Sequence, residues 1–234
     1  VLYGLSVGEL AFRTSYMKPE FNGGGSLLHW LTDIKIDPHN ENVAWFNSGT
    51  GVFRTKNLTA NVVVFEDWCD GIEETVHLNV YSPNGGPVQV IDIVGDLGGF
   101  AFRDLTKPCK NSFEDEHGNR YITCINADFS DEHPEWLVVT PRGNWTGKTK
   151  GGLILSKDQG KTFQCCKVYE KSGAQKLTGK VKVYSDRVDS RLFYGFGEQS
   201  DFYISKDGGC TYQEYDLPVE FPKVNFGLID CAIR

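Results

Sequence analysis

One stretch of the chain combines a carboxylate with the backbone freedom that a catalytic turn needs. Residues 90–94 are Val-Ile-Asp-Ile-Val and predict a buried strand, which runs directly into Gly-Asp-Leu-Gly-Gly-Phe at residues 95–100. Glycines around Asp96 allow a sharp turn and are expected to leave open space beside its carboxylate. We therefore predict that Asp96 meets a ligand. The alternative, which this stretch favours when taken alone, is a turn aspartate that bonds its own backbone.

Other catalytic patterns are missing from the sequence. The five histidines are scattered without metal-ligand spacing, and no Gly-x-Ser-x-Gly motif of serine hydrolases occurs. The glycines around Asp96 are not a dinucleotide fingerprint, because no helix is predicted after them. The acidic triplet at residues 114–116 is typical of a solvated loop tip. We expect no metal and no cofactor.

Tryptophan side chains can stack on the C–H faces of sugar rings, although packing in the core is the more frequent role. Trp45 and Trp136 lie in apolar strands, which predicts core positions. Trp30, Trp68 and Trp145 lie near predicted loops and are the better candidates for a sugar-binding platform.

Composition narrows the classes of partner. The 234 residues carry a net charge of −7 without basic runs, which argues against nucleic acid or an anionic membrane surface as partner. No run approaches the 18 or so apolar residues of a membrane span. Seven cysteines without Cys-x-x-Cys spacing, together with sequons at Asn57 and Asn144, favour secretion. The odd cysteine count leaves one thiol free or paired outside the chain.

A turn motif recurs along the chain. Residues 156–163 and 205–212 both read Ser-Lys-Asp-x-Gly-x-Thr-aromatic and are 49 residues apart. This is the Asp-box pattern, in which the aspartate and glycine build a hairpin turn and the aspartate is consumed by backbone N–H groups. We therefore assign the boxes no catalysis. Weaker echoes at residues 52–59 and 101–106 are also 49 residues apart.

Each period contains four predicted strands, which indicates the antiparallel blades of a β-propeller and hence an all-β fold. Residues 27–234 hold about four such blades and the start of a fifth at residues 224–229, while residues 1–26 are predicted to be a linker or insertion loop. Because rings need typically four to eight blades, we expect part of a larger ring. A closed ring of four or five blades is the alternative.

Specific motifs resemble glycoside hydrolase family 74, the xyloglucanases. They are Gly-Ile-Glu-Glu-Thr at residues 71–75, the Gly-Asp-Leu-Gly-Gly-Phe turn, and Arg-Asp-Leu at residues 103–105. Residues 185–188 and 193–196 and the second Asp box also fit, so that the resemblance covers about residues 27–218. Residues 109–151 fit poorly, and Asp92 stands where the family keeps an apolar residue.

The resemblance implies a secreted glycosidase in which two seven-bladed propellers face each other across a cleft and cleave the β-1,4-glucan backbone of xyloglucan with inversion. One catalytic aspartate comes from each propeller. Asp96 would be the general acid of the second propeller, a role that demands a raised pKa. A preceding propeller would supply the other aspartate, and substrate-binding positions would be Gly98, Gly99, Phe100, Trp30 and Trp68.

Two other functions fit the sequence. One is a non-catalytic propeller that binds polysaccharide or protein. The other is a sortilin-like receptor ectodomain, which the Asp boxes and cysteines permit but the Gly-Asp-Leu-Gly-Gly-Phe turn disfavours. Because the chain lacks the partner aspartate of the first propeller, we expect no xyloglucan cleavage by residues 1–234 alone.

Overall fold

The structure, a computed structural model, consists of strands and turns, with no helix among the residues that it describes. It divides into two compact units, residues 1–74 and residues 75–234. The described residues are 9–13, 30–49, 51–69, 76–107, 109, 112–143, 151–176, 181–197 and 201–216.

The first unit contains one five-stranded sheet with the order β1-β5-β4-β3-β2. Strands β2 to β5 are antiparallel neighbours, while β1 pairs with β5 in parallel. The strand bounds are Glu9–Arg13, Asp33–Asp37, Asn40–Ser48, Gly51–Thr55 and Val62–Asp67 for β1 to β5.

Alternating apolar residues give this sheet its buried face. Phe46, Phe53, Val63 and Phe65 form its core, and the ring of Phe46 stacks on Phe53 with centroids 5.0 Å apart. Such period-two burial is expected of a strand with one face covered. The sequence pattern of a blade is confirmed here for strands β2 to β5.

Strand β1 falls within residues 1–26, for which the sequence predicts a linker or insertion loop. Glu9–Arg13 instead pairs in register with Val62–Glu66 of β5. The predicted linker is therefore wrong for these five residues, because their backbone completes a sheet edge. The rest of residues 1–26 lies outside the described residues, and the domain boundary near residue 27 stays a prediction.

The second unit contains three sheets, with the orders β6-β7-β8, β12-β11-β10-β9 and β13-β17-β16-β15-β14. The bounds of the first six strands are His77–Tyr81, Val90–Val94, Gly98–Phe102, Cys124–Phe129, Leu137–Pro141 and Ile154–Ser156 for β6 to β11. Those of the remaining six are Gln164–Cys165, Lys167–Tyr169, Val181–Ser185, Phe193–Gly197, Phe202–Ser205 and Thr211–Tyr215 for β12 to β17.

These sheets confirm the predicted antiparallel blades and add one strand that was not predicted. Strand β13 follows β12 directly in sequence but pairs in parallel with β17 at the far edge of the next sheet. The predicted fifth blade at residues 224–229 lies outside the described residues. The number of blades in a closed ring stays a prediction.

Two apolar clusters hold the second unit together by using both faces of one sheet. Leu137 and Val139 of β10 pack with Ile91 and Ile93 of β7, whereas Val138 packs in the other cluster with residues of β14 to β17. Strand β10 is therefore buried on both faces, as its continuous apolar run predicts. Burying each such side chain stabilises the fold by about 1.5–3 kcal/mol.

Polar side chains of β9 bond to the backbone of β14, the first strand of the next sheet. Asn126 Oδ1 accepts from the Val183 N–H at 2.7 Å, and Asp128 Oδ2 accepts from the Ser185 N–H at 2.8 Å. Burial raises the pKa of Asp128, although these hydrogen bonds and the nearby Arg187 oppose the rise. The bonds satisfy backbone N–H groups that packing alone would leave without partners.

Candidate active site

Asp96 lies in the tight turn between β7 and β8, where Val94 pairs with Gly98. The Leu97 N–H donates to the Gly95 carbonyl at 2.8 Å, and φ of Asp96 is 64°, so that Asp96 is the central residue of a three-residue turn in the left-handed region. The Asp96 N–H donates to the buried Thr123 hydroxyl at 3.1 Å. Both contacts fix the backbone of Asp96.

The carboxylate of Asp96 is exposed, and within the described part of the chain it receives no hydrogen bond. This differs from the alternative in which the aspartate bonds its own turn. Only the backbone of Asp96 contributes to the turn, and its carboxylate oxygens remain available to another molecule.

The glycines beside Asp96 do not create open space, contrary to the prediction. Gly98 and Gly99 are both buried. A Cβ added to Gly99 would lie 2.6 Å from a ring carbon of Phe113, and one added to Gly98 would lie 3.0 Å from the carbonyl oxygen of Tyr121. Glycine is needed at residues 98 and 99 because Tyr121 and Phe113 pack directly on this hairpin. Both glycines are therefore covered by the protein itself.

Strand β7, which leads into the Asp96 turn, lies between two neighbouring strands. The sequence predicted a buried strand before Asp96, and β7 is buried as the middle strand of its sheet, between β6 and β8. The run of apolar residues in β7 reflects burial by neighbours on both sides and both faces. Phe100, on β8, is half-buried, with its ring centroid 6.2 Å from that of Phe102.

Asp92 has a partner that the sequence did not reveal. Its buried carboxylate lies 2.9 Å from Nδ1 of His77, an exposed residue on β6. His77 is also adjacent to Val76, whose carbonyl accepts from the Gly95 N–H at 2.8 Å. The pair explains how an extra carboxylate is accommodated in an otherwise apolar strand, since buried charges require a hydrogen-bonding partner.

The two tryptophans that were predicted to bind substrate, Trp30 and Trp68, belong to the first unit, whereas Asp96 belongs to the second. Trp30 is 75% exposed and has φ of 52°. Trp68 is 50% exposed, and the guanidinium of Arg54 lies over its ring at 4.5 Å. Both rings are accessible enough to bind a sugar, and this role stays a prediction.

The predicted core positions of Trp45 and Trp136 are wrong. Both residues are only half-buried. A cation covers part of each ring: Arg54 lies 5.3 Å from the Trp45 centroid, and Lys157 lies 4.7 Å from the Trp136 centroid. Cation–π contacts of this kind stabilise an aromatic ring at the surface.

The Asp boxes are structural, as predicted. Oδ1 of Asp158 accepts from the Ser156 hydroxyl and from the N–H groups of Lys161 and Thr162, and Oδ2 accepts from the Thr162 hydroxyl. Burial raises the pKa of Asp158, but these hydrogen bonds outweigh burial and leave the pKa lowered. Asp207 has the equivalent bonds from Ser205 and Thr211 and a lowered pKa for the same reasons.

A degenerate box occurs where the sequence showed only an echo. Oδ1 of Asn57 accepts from the Thr55 hydroxyl at 2.8 Å, while its Nδ2 donates to the Val62 carbonyl at 3.0 Å. Asn57 thus replaces the box aspartate. Because its amide nitrogen has a structural partner, a glycan at this sequon would break the turn.

The acidic triplet at residues 114–116 is not a solvated tip. Asp115 is buried and accepts hydrogen bonds from the Tyr121 hydroxyl at 2.7 Å and from the Asn119 N–H at 2.9 Å. Burial raises the pKa of Asp115, but these bonds outweigh it and lower the pKa. Glu114 pairs with Arg120, and Glu116 accepts from the Cys165 N–H.

Within the described residues, no helix has the length and apolar character needed to cross a bilayer.

No protein-family model matches the chain. Curated relatives include a xyloglucanase from Paenibacillus sp., 25% identical over 256 residues, which covers 90% of this chain and 24% of the relative. A xyloglucanase from Acetivibrio thermocellus is 26% identical over 261 residues, with coverage of 92% and 29%. An oligoxyloglucan-reducing end-specific xyloglucanase from Emericella nidulans is 23% identical over 251 residues, with coverage of 80% and 30%.

A solved structure shows the same fold. The GH74 xyloglucanase from Xanthomonas campestris superposes with a TM-score of 0.53 at 19% identity, over 89% of this chain and 34% of the other. The sheets, the Asp-box turns and this superposition define the chain as a β-propeller protein of the Asp-box type. The sequence similarities to xyloglucanases agree with the resemblance to glycoside hydrolase family 74 that the motifs around Asp96 carry. The chain spans only 24–30% of the length of these curated relatives.

Proposed function

We propose that this chain supplies one half of a xyloglucan-cleaving site and that Asp96 is its catalytic residue. The observation that carries the proposal is the exposed Asp96 carboxylate, which receives no hydrogen bond from the described residues although the N–H groups of Gly95, Asp96 and Leu97 all donate. The two box aspartates, which also lie in turns between paired strands, have their carboxylates occupied. Because the Asp96 carboxylate does not stabilise its own turn, we infer that it acts on another molecule.

The strained backbone supports the same role. A non-glycine residue with φ near 64° costs about 1–3 kcal/mol, and such residues cluster at functional sites. Here the strain is maintained by Thr123 and by the packing of Phe113 against Gly99. The carboxylate therefore stands on a rigid turn, as a preorganised acid requires.

In the proposed mechanism, Asp96 acts as general acid and protonates the leaving-group oxygen of the scissile glucosidic bond. An aspartate from a preceding propeller acts as general base and activates a water on the opposite face of the sugar. Inversion requires about 6.5–9.5 Å between the two carboxyl groups, to leave room for that water.

The substrate in this proposal is xyloglucan or a related β-glucan, which is the substrate that the names of the curated relatives imply for those proteins. Phe100, on the strand that follows Asp96, would contact a sugar ring, and Trp30 and Trp68 stay separate candidates for sugar stacking. We further propose that the protein is secreted, because a polymer of this size is met outside the cell. No cofactor is required by this chemistry.

The test compares two substitutions in a protein that joins this chain to a complementary first propeller. The Asp96→Asn substitution removes the acid, and asparagine can adopt the same left-handed backbone conformation. We expect xyloglucan cleavage to fall by at least about 10²–10⁴-fold, the range of general acid catalysis, while xyloglucan binding is kept. Asp104→Asn is the matched control, because Asp104 lies in the turn at the other end of β8 and bonds Thr106. It should leave cleavage unchanged.

Residues 1–234 alone should bind xyloglucan weakly and not cleave it, as measured by release of reducing ends. Near-normal cleavage by Asp96→Asn would remove Asp96 from the mechanism, and turnover by the isolated chain would disprove the half-site. Binding without cleavage by the joined protein would favour the non-catalytic module.

A further inference from the structure

The turn at residues 114–120 is held rigidly against the strand of the first Asp box. Glu114 and Arg120 form an antiparallel bridge, and Asp115 forms a parallel bridge with Phe163. The buried Asp115 carboxylate accepts from the His117 N–H at 2.9 Å, among other bonds within the turn. The backbone that carries Glu116 and His117 is therefore fixed relative to Cys165, 2 residues beyond Phe163.

Three different metal-binding side chains converge at this point. One ligand atom each from Glu116, His117 and Cys165 lies within 4.8 Å of the others. Glu116 Oε1 lies 3.6 Å from His117 Nε2, and Glu116 Oε2 accepts from the Cys165 N–H at 2.8 Å. Glu116 is thereby oriented toward the other two residues before any ligand binds.

The buried carboxylate of Asp115 lies behind this group. In the metal-free chain the Cys165 thiol donates to Asp115 Oδ2 at 3.5 Å, which holds the sulfur beside the turn. Metal binding would release this proton to solvent, because the ligand is the thiolate. A carboxylate that positions a ligating side chain from behind is a common feature of metal sites, where such partners set ligand orientation. Two carboxylates next to a thiol also make a locally negative environment that a cation would neutralise.

The chemistry of the three donors selects the metal. A thiolate excludes Ca²⁺ and Mg²⁺, which require oxygen ligands, whereas Zn²⁺ accepts sulfur, nitrogen and oxygen together. We propose that Glu116, His117 and Cys165 bind one Zn²⁺ ion, with a fourth position filled by water. The ion would join the β8–β9 connection to β12, two segments 48 residues apart in sequence. This proposal does not depend on the role of Asp96.

The test measures zinc binding to the whole 234-residue chain under reducing conditions. We expect one high-affinity site by calorimetric titration with ZnCl₂ and a rise in melting temperature on zinc addition, since a ligand that binds only the folded state stabilises it. Cobalt in place of zinc should give a thiolate-to-cobalt absorption band. Excess Ca²⁺ or Mg²⁺ should not compete.

Cys165→Ser and His117→Gln should each weaken zinc binding by more than about 10–100-fold, the range found for outer-shell partners, and Cys165→Ser should abolish the cobalt band. Both residues are exposed, so that the zinc-free melting temperature should not change. The matched controls are His133→Gln, which alters another histidine–carboxylate pair at 3.2 Å, and Cys210→Ser. Absence of binding to the unmodified chain, full binding to Cys165→Ser, or equal losses in the controls would overturn the proposal.

Discussion

At the scale of single residues, three turn aspartates of this chain differ in what their carboxylates do. Asp158 and Asp207 bond the serine and threonine of their own boxes, whereas the carboxylate of Asp96 has no such partner among the described residues. The box bonds could be predicted, because both partners lie within 4 residues in sequence. The support of Asp96 could not, since Thr123 is 27 residues away.

The box aspartates make stability depend on pH. Their pKa values are lowered in the folded chain, so that their stabilising contribution is present above the unfolded value of 3.8 and is lost as pH falls through the lower folded values. We expect the double variant Asp158→Asn/Asp207→Asn to lose about 1–3 kcal/mol at pH 7 and to show a shallower loss below pH 4. Urea unfolding at pH 7, 4 and 3 measures both effects.

Asp96→Asn is the control in that experiment. Because the Asp96 carboxylate has no bond within the described residues, its stability should stay within about 0.5 kcal/mol of the unmodified chain. A larger loss would mean that Asp96 serves its own turn, which contradicts the functional role proposed for it.

Gly99 offers a second test of the hairpin. A Cβ at residue 99 would meet Phe113 at 2.6 Å, and overpacking of this kind costs about 1–3 kcal/mol. We expect Gly99→Ala to destabilise by this amount in thermal unfolding and Phe113→Leu to restore part of the loss in the double variant. Gly85→Ala is the control, because its nearest atom is an ordinary 3.5 Å away. Equal effects of the two alanines would contradict the packing argument.

At the scale of elements, repeats in the sequence predicted the antiparallel blades but not their parallel edge strands. Each box turn depends only on the residues of one short segment. The boxes and their 49-residue spacing can therefore be recognised directly in the sequence. Strands β1 and β13 are short and pair with β5 and β17, whose positions depend on the whole sheet. The buried Asp115 was missed for the same reason, because an acidic triplet indicates solvent exposure until its distant neighbours are known. The zinc ligands, separated by 48 residues, have no recognisable spacing.

The polar contact between β9 and β14 can be tested directly. Asn126→Ala would leave the Val183 N–H without the Asn126 acceptor and would remove one of the donors to the Tyr81 hydroxyl. An unsatisfied buried group costs about 1–3 kcal/mol, and we expect that loss in urea unfolding. Native-state hydrogen exchange at the Val183 amide should accelerate more than exchange at the Val139 amide, which lies on β10, the strand that pairs with β9. Equal acceleration at the two amides would indicate global destabilisation alone.

At the scale of the whole molecule, the described sheets end in strands that expose apolar side chains. Ile34 and Ile36 on β2, and Leu78 and Val80 on β6, are all exposed, and both strands lie at a sheet edge. Edges of this kind are templates for pairing with another chain. The fold class was predictable from motifs, but these open edges were not, because exposure depends on which neighbours a strand has.

We therefore expect the isolated chain to self-associate as its concentration rises, as measured by sedimentation velocity. The double variant Ile36→Lys/Leu78→Lys should reduce association, since lysine on an edge strand opposes edge-to-edge pairing. Leu105→Lys is the control, because Leu105 is also exposed but lies in a turn. A monomer at all concentrations, or equal effects of the edge and turn lysines, would contradict the role of the edges.

The parallel pairing of β13 with β17 has a consequence for how such chains arise. The segment Lys167–Tyr215 begins and ends side by side at one border of its sheet, and its length is 49 residues, the same as the distance between the boxes. A gene fragment encoding it can be copied in tandem with its strand pairs intact, because β13 to β17 are all encoded within it. Growth of the ring by whole cassettes is therefore geometrically simple, whereas gain of half a cassette would leave a strand without its neighbour.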